Sequence, residues 1–150
     1  MASPAGDERD AEASRDGSPL RLFVYGSLRM GEENEMARLL HGHANYLGEG
    51  TIRARLYAID WYSGAVASDD PADLVHGDVF ELDAAAADEV IAALDAYEGE
   101  GFERREVAAA MADETSLRVQ AYLFAASVAG LPWIAHGRWP RQARREGSAG

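Results

Sequence analysis

The sequence predicts an α+β fold: a mostly β chain with two or three helices on one side, its sheet curled or closed to protect the edges. Three observations carry the prediction. Short apolar or alternating runs, bounded by Gly, Asp and Ser, recur between residues 21 and 125 and read as strands. Only two stretches repeat apolar residues at helical spacing. Of the 150 residues, 47% are hydrophobic, enough for one domain with a core.

The elements follow in order. Residues 21–25, "RLFVY", are short and apolar, hence a buried strand. Residues 35–40 form a first helix, with Met36, Leu39 and Leu40 on one face and Asn34 placed to cap it. Residues 50–59 alternate, with Ile52, Ala54, Leu56 and Ala58 on one face, and 64–68 give a short strand after a turn. Residues 75–82, "VHGDVFEL", are apolar at Val75, Val79, Phe80 and Leu82. The second helix covers 84–98, with Asp83 as candidate N-cap, Val90, Ile91, Leu94 and Tyr97 as its apolar stripe and Gly99 as its stop. Residues 102–111 and 116–125 make a hairpin around "ADET". Residues 1–19 read as a disordered arm and 140–150 as a flexible tail, leaving 20–139 as the domain.

Composition excludes several chemistries. Without cysteine there are no disulfides, thiolate nucleophiles or Cys–zinc sites. All 14 basic residues are arginine, so the phosphate-loop lysine, Schiff bases and Ser–Lys dyads are absent too. Net charge is −12. Residues 1–20 hold 5 acids and 2 arginines, and residues 138–150 hold 1 acid and 4 arginines. The stretch between carries 20 acids against 8 arginines, which repels phosphate backbones, so no nucleic-acid partner is expected. The arginine-rich end reads as a solvated tail. Residues 1–19 have no apolar segment for a signal peptide, and no run is long enough to span a membrane. A cytoplasmic protein without a membrane partner is the expectation.

Two features point to chemistry. In "LFVYGSLRMGEEN" a buried strand runs straight into Tyr25, Gly26, Ser27 and Leu28. A glycine there permits a tight turn, and successive amides can then face one anion. With no lysine nearby and an acidic core, a small carboxylate suits that nest better than a phosphate. The same Gly-Ser also fits an ordinary turn. The second feature is Glu98, four residues after Leu94 and seven after Ile91, hence on or beside the buried stripe. It sits in the last turn, at the negative end of the helix dipole. Burial and dipole both raise a carboxylate's pKa, as a general base near neutrality requires. The plainer alternative is that Glu98, in the acid-rich "EGEGFE", points to water.

Taken together, "FVYGSLRMGEEN", "YLGEGTIRARLYAIDWYSGAV", "VHGDVFEL", "LDAYEGEGFERREV" and "VQAYLF" resemble the gamma-glutamylcyclotransferase superfamily, nearest its gamma-glutamylamine cyclotransferase-like branch. The likeness covers about residues 22–124. It implies a small mixed β-barrel flanked by helices, a substrate loop at Tyr25, Gly26, Ser27 and Leu28, and Glu98 as catalytic acid/base. The implied reaction is an intramolecular cyclisation of the acyltransferase or lyase type. The α-amine of a gamma-glutamyl group attacks its own side-chain carbonyl, closes 5-oxoproline and releases an amine or amino acid. The nucleophile is tethered, so no enzyme nucleophile, metal or cofactor is required. A loop amide or the Ser27 hydroxyl would hold the oxyanion. The chain departs from the family pattern at Tyr62-Ser63-Gly64, at Arg55 and at Phe102, while Arg104 and Val107 keep their spacing; these changes bear on the amine side. Two other readings stand beside this one. The same loop and Glu98 would serve a specialised gamma-glutamyl metabolite, or the fold would be a catalytically silent small-ligand binding protein, which a Glu98 remote from the loop would favour.

Other residues read as structural. His41 and His43 lie two apart at a helix end with no third ligand, so they are taken as surface residues rather than metal ligands. His76 reads as a strand residue and His136 as part of a packing turn. No Gly-x-Ser-x-Gly elbow is present. Asp78 reads as an ordinary polar strand position, and Arg104 as one half of an ion pair with an acid of the same sheet. Tyr122 is assigned to the pocket or to barrel packing, and Trp61, Trp133 and Trp139 to covering the core.

Overall fold

In the computed structural model, which describes residues 19–139, strand β1 (Arg21–Val24) lies at the centre of the sheet. It is antiparallel to β4 (Leu74–Leu82) and parallel to β6 (Ser116–Phe124), which makes the sheet mixed. β5 (Phe102–Met111) forms a hairpin with β6, and the long strand β2 (Ala44–Ala58) pairs with β4. Pairing of Gly50 with Met111 and Thr51 with Ala110 joins β2 to β5 and closes a five-stranded barrel in the order β2-β4-β1-β6-β5. The far end of β2 leaves the barrel and pairs instead with β3 (Ser63–Ala67) and β7 (Trp133–Ile134). Helices α1 (Glu35–Gly42) and α2 (Ala87–Glu98) cover one side.

The continuous apolar run of β1 has a structural cause: the strand is buried on both faces. Phe23 and Tyr25 point into the barrel with Ile52, Val75, Val79 and Val119. Leu22 and Val24 point outward, where Phe80 and Leu82 meet Leu40 of α1 and Val90, Ile91 and Leu94 of α2. Two glycines make closure possible. A Cβ on Gly50 would sit 3.0 Å from Met111 Sδ and 3.1 Å from the Ala110 carbonyl, at the β2–β5 seam. A Cβ on Gly77 would sit 2.4 Å from the Val24 carbonyl and 2.6 Å from Phe23 Cζ.

Three expectations need correction. β2 starts at Ala44, six residues before the expected 50, because a bulge at Leu47, with Gly48 at φ 121°, interrupts the alternation. α2 starts at Ala87 rather than 84, and Asp83 is not its cap: the Ala86 amide donates to the Asp83 carbonyl in a turn (3.0 Å), and no side chain caps the helix. Tyr97, expected on the apolar stripe, is 41% exposed. By contrast Asn34 caps α1 as expected, accepting from the Ala37 amide at 2.8 Å. The arm expected over residues 1–19, except Pro19, and the tail over 140–150 lie outside the described residues. Among the described residues no helix is long and apolar enough to cross a membrane.

Gly77→Ala therefore drives a methyl into the Val24 backbone and is expected to cost about 2–3 kcal/mol, lowering Tm on the order of 5–10 °C. Gly42→Ala, where nothing lies within 4 Å of the added Cβ, is the control and should leave Tm unchanged or slightly raised. Thermal denaturation followed by circular dichroism measures both.

Candidate active site

The candidate site lies where the chain leaving β1 meets the end of α2. After β1 the Arg29 amide donates to the Gly26 carbonyl (3.2 Å), turning residues 26–29 across the barrel end. This turn is held from outside. Asn34 Nδ2 donates to the Ser27 carbonyl (2.7 Å) while its Oδ1 caps α1. A His41 ring N–H donates to the Leu28 carbonyl (2.8 Å), and the ring stacks on Phe80 at 4.9 Å. Asp78, 1% exposed, accepts from Arg29 Nε (3.1 Å), Arg29 Nη2 (3.3 Å), the Met30 amide (2.9 Å) and the Tyr46 hydroxyl (3.1 Å). A trans peptide sets N–H opposite C=O, so the pull of Asn34 on Ser27 turns the Leu28 amide away from α1. Among the described residues the Ser27 and Leu28 amides have no protein acceptor. Gly26 differs from expectation. Its φ is not left-handed, and a Cβ would lie in ordinary contact, 3.8 Å from Ser63 Oγ. The turn does not require glycine there; its missing side chain leaves the space facing Ser63 open.

Glu98 ends α2 and is mostly buried, with no hydrogen bond or ion pair to the described residues. Burial, and then the charge of Asp95 one turn earlier, push its carboxyl up to about 7. Asp95 behaves in the opposite way. Burial works against its charge, but hydrogen bonds from Arg104 and Tyr122, with the Arg104 charge, hold its carboxyl below the usual range. Arg104 reaches it through Nε (2.9 Å) and Nη2 (3.2 Å), and the Tyr122 hydroxyl donates at 2.6 Å.

Tyr25, Gly26, Ser27, Leu28 and Glu98 all line one cavity of about 410 Å³. Ser27 Oγ lies 3.0 Å from the Tyr97 hydroxyl, tying the loop to α2. The Tyr25 hydroxyl is already engaged: it donates to the Tyr122 carbonyl (2.7 Å) and accepts from the Ala65 amide (3.0 Å). Burial pushes its pKa up.

Several residues differ from their sequence reading. Asp78 is an anchor for the loop rather than an ordinary polar position, and His41 is a packed, hydrogen-bonded side chain rather than a surface one. Trp61 is 63% exposed at the cavity, not a cover for the core, and Trp133 is exposed too, with the Arg55 guanidinium 4.6 Å over its ring. Trp139 both packs on the barrel core and lines the cavity, as Tyr122 does from the other core cluster. Arg104 forms an ion pair with Asp95 of α2, an acid outside its own sheet. The remaining histidines serve local structure: His43 donates to the Leu39 carbonyl (2.9 Å), and His136 Nδ1 accepts from the Arg138 amide (3.2 Å). Burial pushes the His76 pKa down.

A small closed mixed barrel with two helices on one side, and a mostly buried acid sharing a cavity with the turn after its central strand, defines the class. The chain belongs to the family described as gamma-glutamyl cyclotransferase, AIG2-like, whose model matches residues 22–141. Among solved structures it is similar to ytfP from Escherichia coli, at 31% identity and TM-score 0.54, covering 80% of this chain and 96% of that one. An AIG2-like protein from Mus musculus shares the fold at 20% identity and TM-score 0.64, covering 81% and 88%. YkqA from Bacillus subtilis shares it at 24% identity and TM-score 0.63; the match takes 81% of this chain but spans only 39% of YkqA. No curated protein matches the chain.

The raised Glu98 pKa carries a stability cost with a definite sign. Between the ordinary value of 4.5 and about 7 the folded state holds a proton that the unfolded state has lost, so stability falls as pH rises through that window. Glu98→Gln removes the cost. Its gain over wild type should be near zero below pH 4.5 and reach on the order of 3 kcal/mol above pH 7. Urea denaturation at pH 4.5 and pH 8 tests this; an equal gain at both pH values would contradict it.

Proposed function

We propose that this chain is a gamma-glutamyl cyclotransferase, cyclising a gamma-glutamyl group to 5-oxoproline with release of an amine or amino acid. The observation that carries the reading is a mostly buried carboxylate, its pKa pushed up by burial, in the same cavity as a loop whose Ser27 and Leu28 amides have no acceptor among the described residues.

In the proposed reaction the substrate α-carboxylate takes the Ser27 and Leu28 amides, as an anion takes a backbone nest. That hold turns its α-ammonium toward Glu98, which accepts a proton. The freed amine attacks the γ-carbon of its own side chain, where tethering has already met the entropic cost of encounter. A loop amide or the Ser27 hydroxyl steadies the oxyanion. Glu98 then returns that proton to the departing nitrogen, takes the second proton from the new ring nitrogen and passes it to the same amine, which leaves as its ammonium ion. The proposed cycle takes a small gamma-glutamyl substrate and needs no cofactor.

Incubating the protein with gamma-glutamyl amines, gamma-glutamyl amino acids, ε-(gamma-glutamyl)lysine and glutathione should yield 5-oxoproline by mass spectrometry. Glu98→Gln should lower kcat by roughly 10²–10⁴ while still binding 5-oxoproline. Unchanged turnover in that variant would sink the reading. Binding of 5-oxoproline with no turnover of any compound would favour a silent binding protein.

The base must be ionised, so kcat/KM should rise with pH and level off above about 7. Asp95→Asn removes the like charge that opposes ionisation, and the acidic limb should move to lower pH. A limb that moves upward or stays fixed would show that Asp95 does not set it.

A further inference from the structure

The cavity that takes in the loop also carries several aromatic side chains. Trp61, Tyr62, Tyr97, Phe102 and Trp139 give it an aromatic wall. Trp61 stands edge-on to Tyr62 with ring centroids 5.1 Å apart, and Tyr62 lies 6.2 Å from Phe102. Trp61 contributes little to either buried cluster, being 63% exposed. The hairpin beneath it is held by backbone: the Ile59 and Asp60 amides both donate to the Tyr62 carbonyl, at 2.9 and 3.2 Å. Nothing in the hairpin requires an indole at its tip. Among the described residues that line the cavity there is no arginine or histidine, and Glu98 is the one carboxylic acid.

We propose that this wall is the leaving-group subsite, suited to the ring of an aromatic primary amine, so that the substrate class is the gamma-glutamyl arylalkylamides rather than the gamma-glutamyl amino acids. The inference rests on the cyclisation reading and specifies which amine departs. A departing amino acid would bring a carboxylate into a wall without a cation, where unpaired burial of charge is costly. Glu98, when ionised, would repel it. An aryl ring meets neither penalty and would extend a wall whose own rings, Trp61, Tyr62 and Phe102, already meet edge-on and tilted. Held there, the ring keeps the scissile amide nitrogen within reach of Glu98, so remote binding energy assists the chemical step. The balance is simple. The bond from the γ-carbon to the arylalkyl nitrogen breaks as the bond to the α-nitrogen forms, and no water enters. The two protons shed by the α-ammonium leave on the amine, which departs as its own ammonium ion.

The test compares gamma-glutamylphenethylamide, gamma-glutamylbutylamide and gamma-glutamylphenylalanine on the full chain, by kcat/KM for 5-oxoproline release. The phenethylamide should exceed the butylamide at least 10-fold and the phenylalanine conjugate at least 100-fold. Trp61→Ala should narrow the phenethylamide-to-butylamide ratio by about tenfold; the exposed position keeps the core out of the comparison. Equal turnover of all three, or a ratio untouched by Trp61→Ala, overturns the subsite. If none is turned over, titration calorimetry with the same amides separates the two ideas. Tighter binding of the phenethylamide, lost in Trp61→Ala, upholds the subsite while the cyclisation reading falls; equal or absent binding removes both.

Discussion

The Arg29–Asp78 pair is the constraint on which the site depends. Asp78 lies on the outer face of β4, beside Phe80, and the segment between β1 and α1 covers it. A buried carboxylate requires partners, and this one has four donor contacts from Arg29, Met30 and Tyr46. Replacing such a pair with hydrocarbon is often neutral for stability. Hydrocarbon would not reproduce the pull on the Met30 amide or the fork that holds Arg29 flat against the strand. The pair sets where the turn after β1 ends, and with it the bearing of Ser27 and Leu28. The bulge at Leu47 belongs to the same arrangement: it lies immediately after Tyr46, whose hydroxyl supplies one of the four donors.

Asn34 extends the constraint into helix α1. One face of its amide group starts the helix and the other holds the Ser27 carbonyl. The loop is therefore fixed to the helix end rather than to solvent, and α1 is fixed to the barrel through Ala37 and Leu40. His41 adds a second hold from the last turn of the same helix. A short helix of 8 residues would be marginal alone. Here its two ends grip consecutive loop carbonyls, so forming the helix and orienting the loop amides are one event.

Much of this was legible from residue order, for physical reasons that differ by element. The double burial of β1 leaves an unbroken apolar run, and Glu98 follows Leu94 by four residues, so both announce themselves. Asp78 does not. Whether a polar strand residue faces water or a covering loop depends on tertiary packing, and period-2 alternation is the same in both cases. The alanines at 84–86 read as helix because alanine favours it, yet Asp83 closes a turn across them first. Trp61 reads as a cover for the core by its apolar bulk and Tyr97 as part of the helix stripe by its spacing; an aromatic ring lining an open cavity carries the same signature as one filling a barrel.

Glu98 and Asp95 show how one helix turn carries two carboxylates in different states. Asp95 is given donors, Arg104 from β5 and Tyr122 from β6, which hold it charged despite partial burial. Among the described residues Glu98 is given none, and it lies one turn from that fixed charge. The separation of their proton affinities is built by the hairpin, not by the helix that bears both residues. Arg104 also accepts the constraint of Gln120, whose side-chain oxygen holds its Nη1 at 2.7 Å, so the guanidinium is fixed from the sheet side before it reaches Asp95. A carboxyl raised in this way weakens the fold at neutral pH. The barrel seam, the double-faced strand and the two-helix layer must supply stability enough to tolerate it. In the proposed cyclisation, that cost is what keeps a base ready at the pH where the substrate α-ammonium must lose its proton.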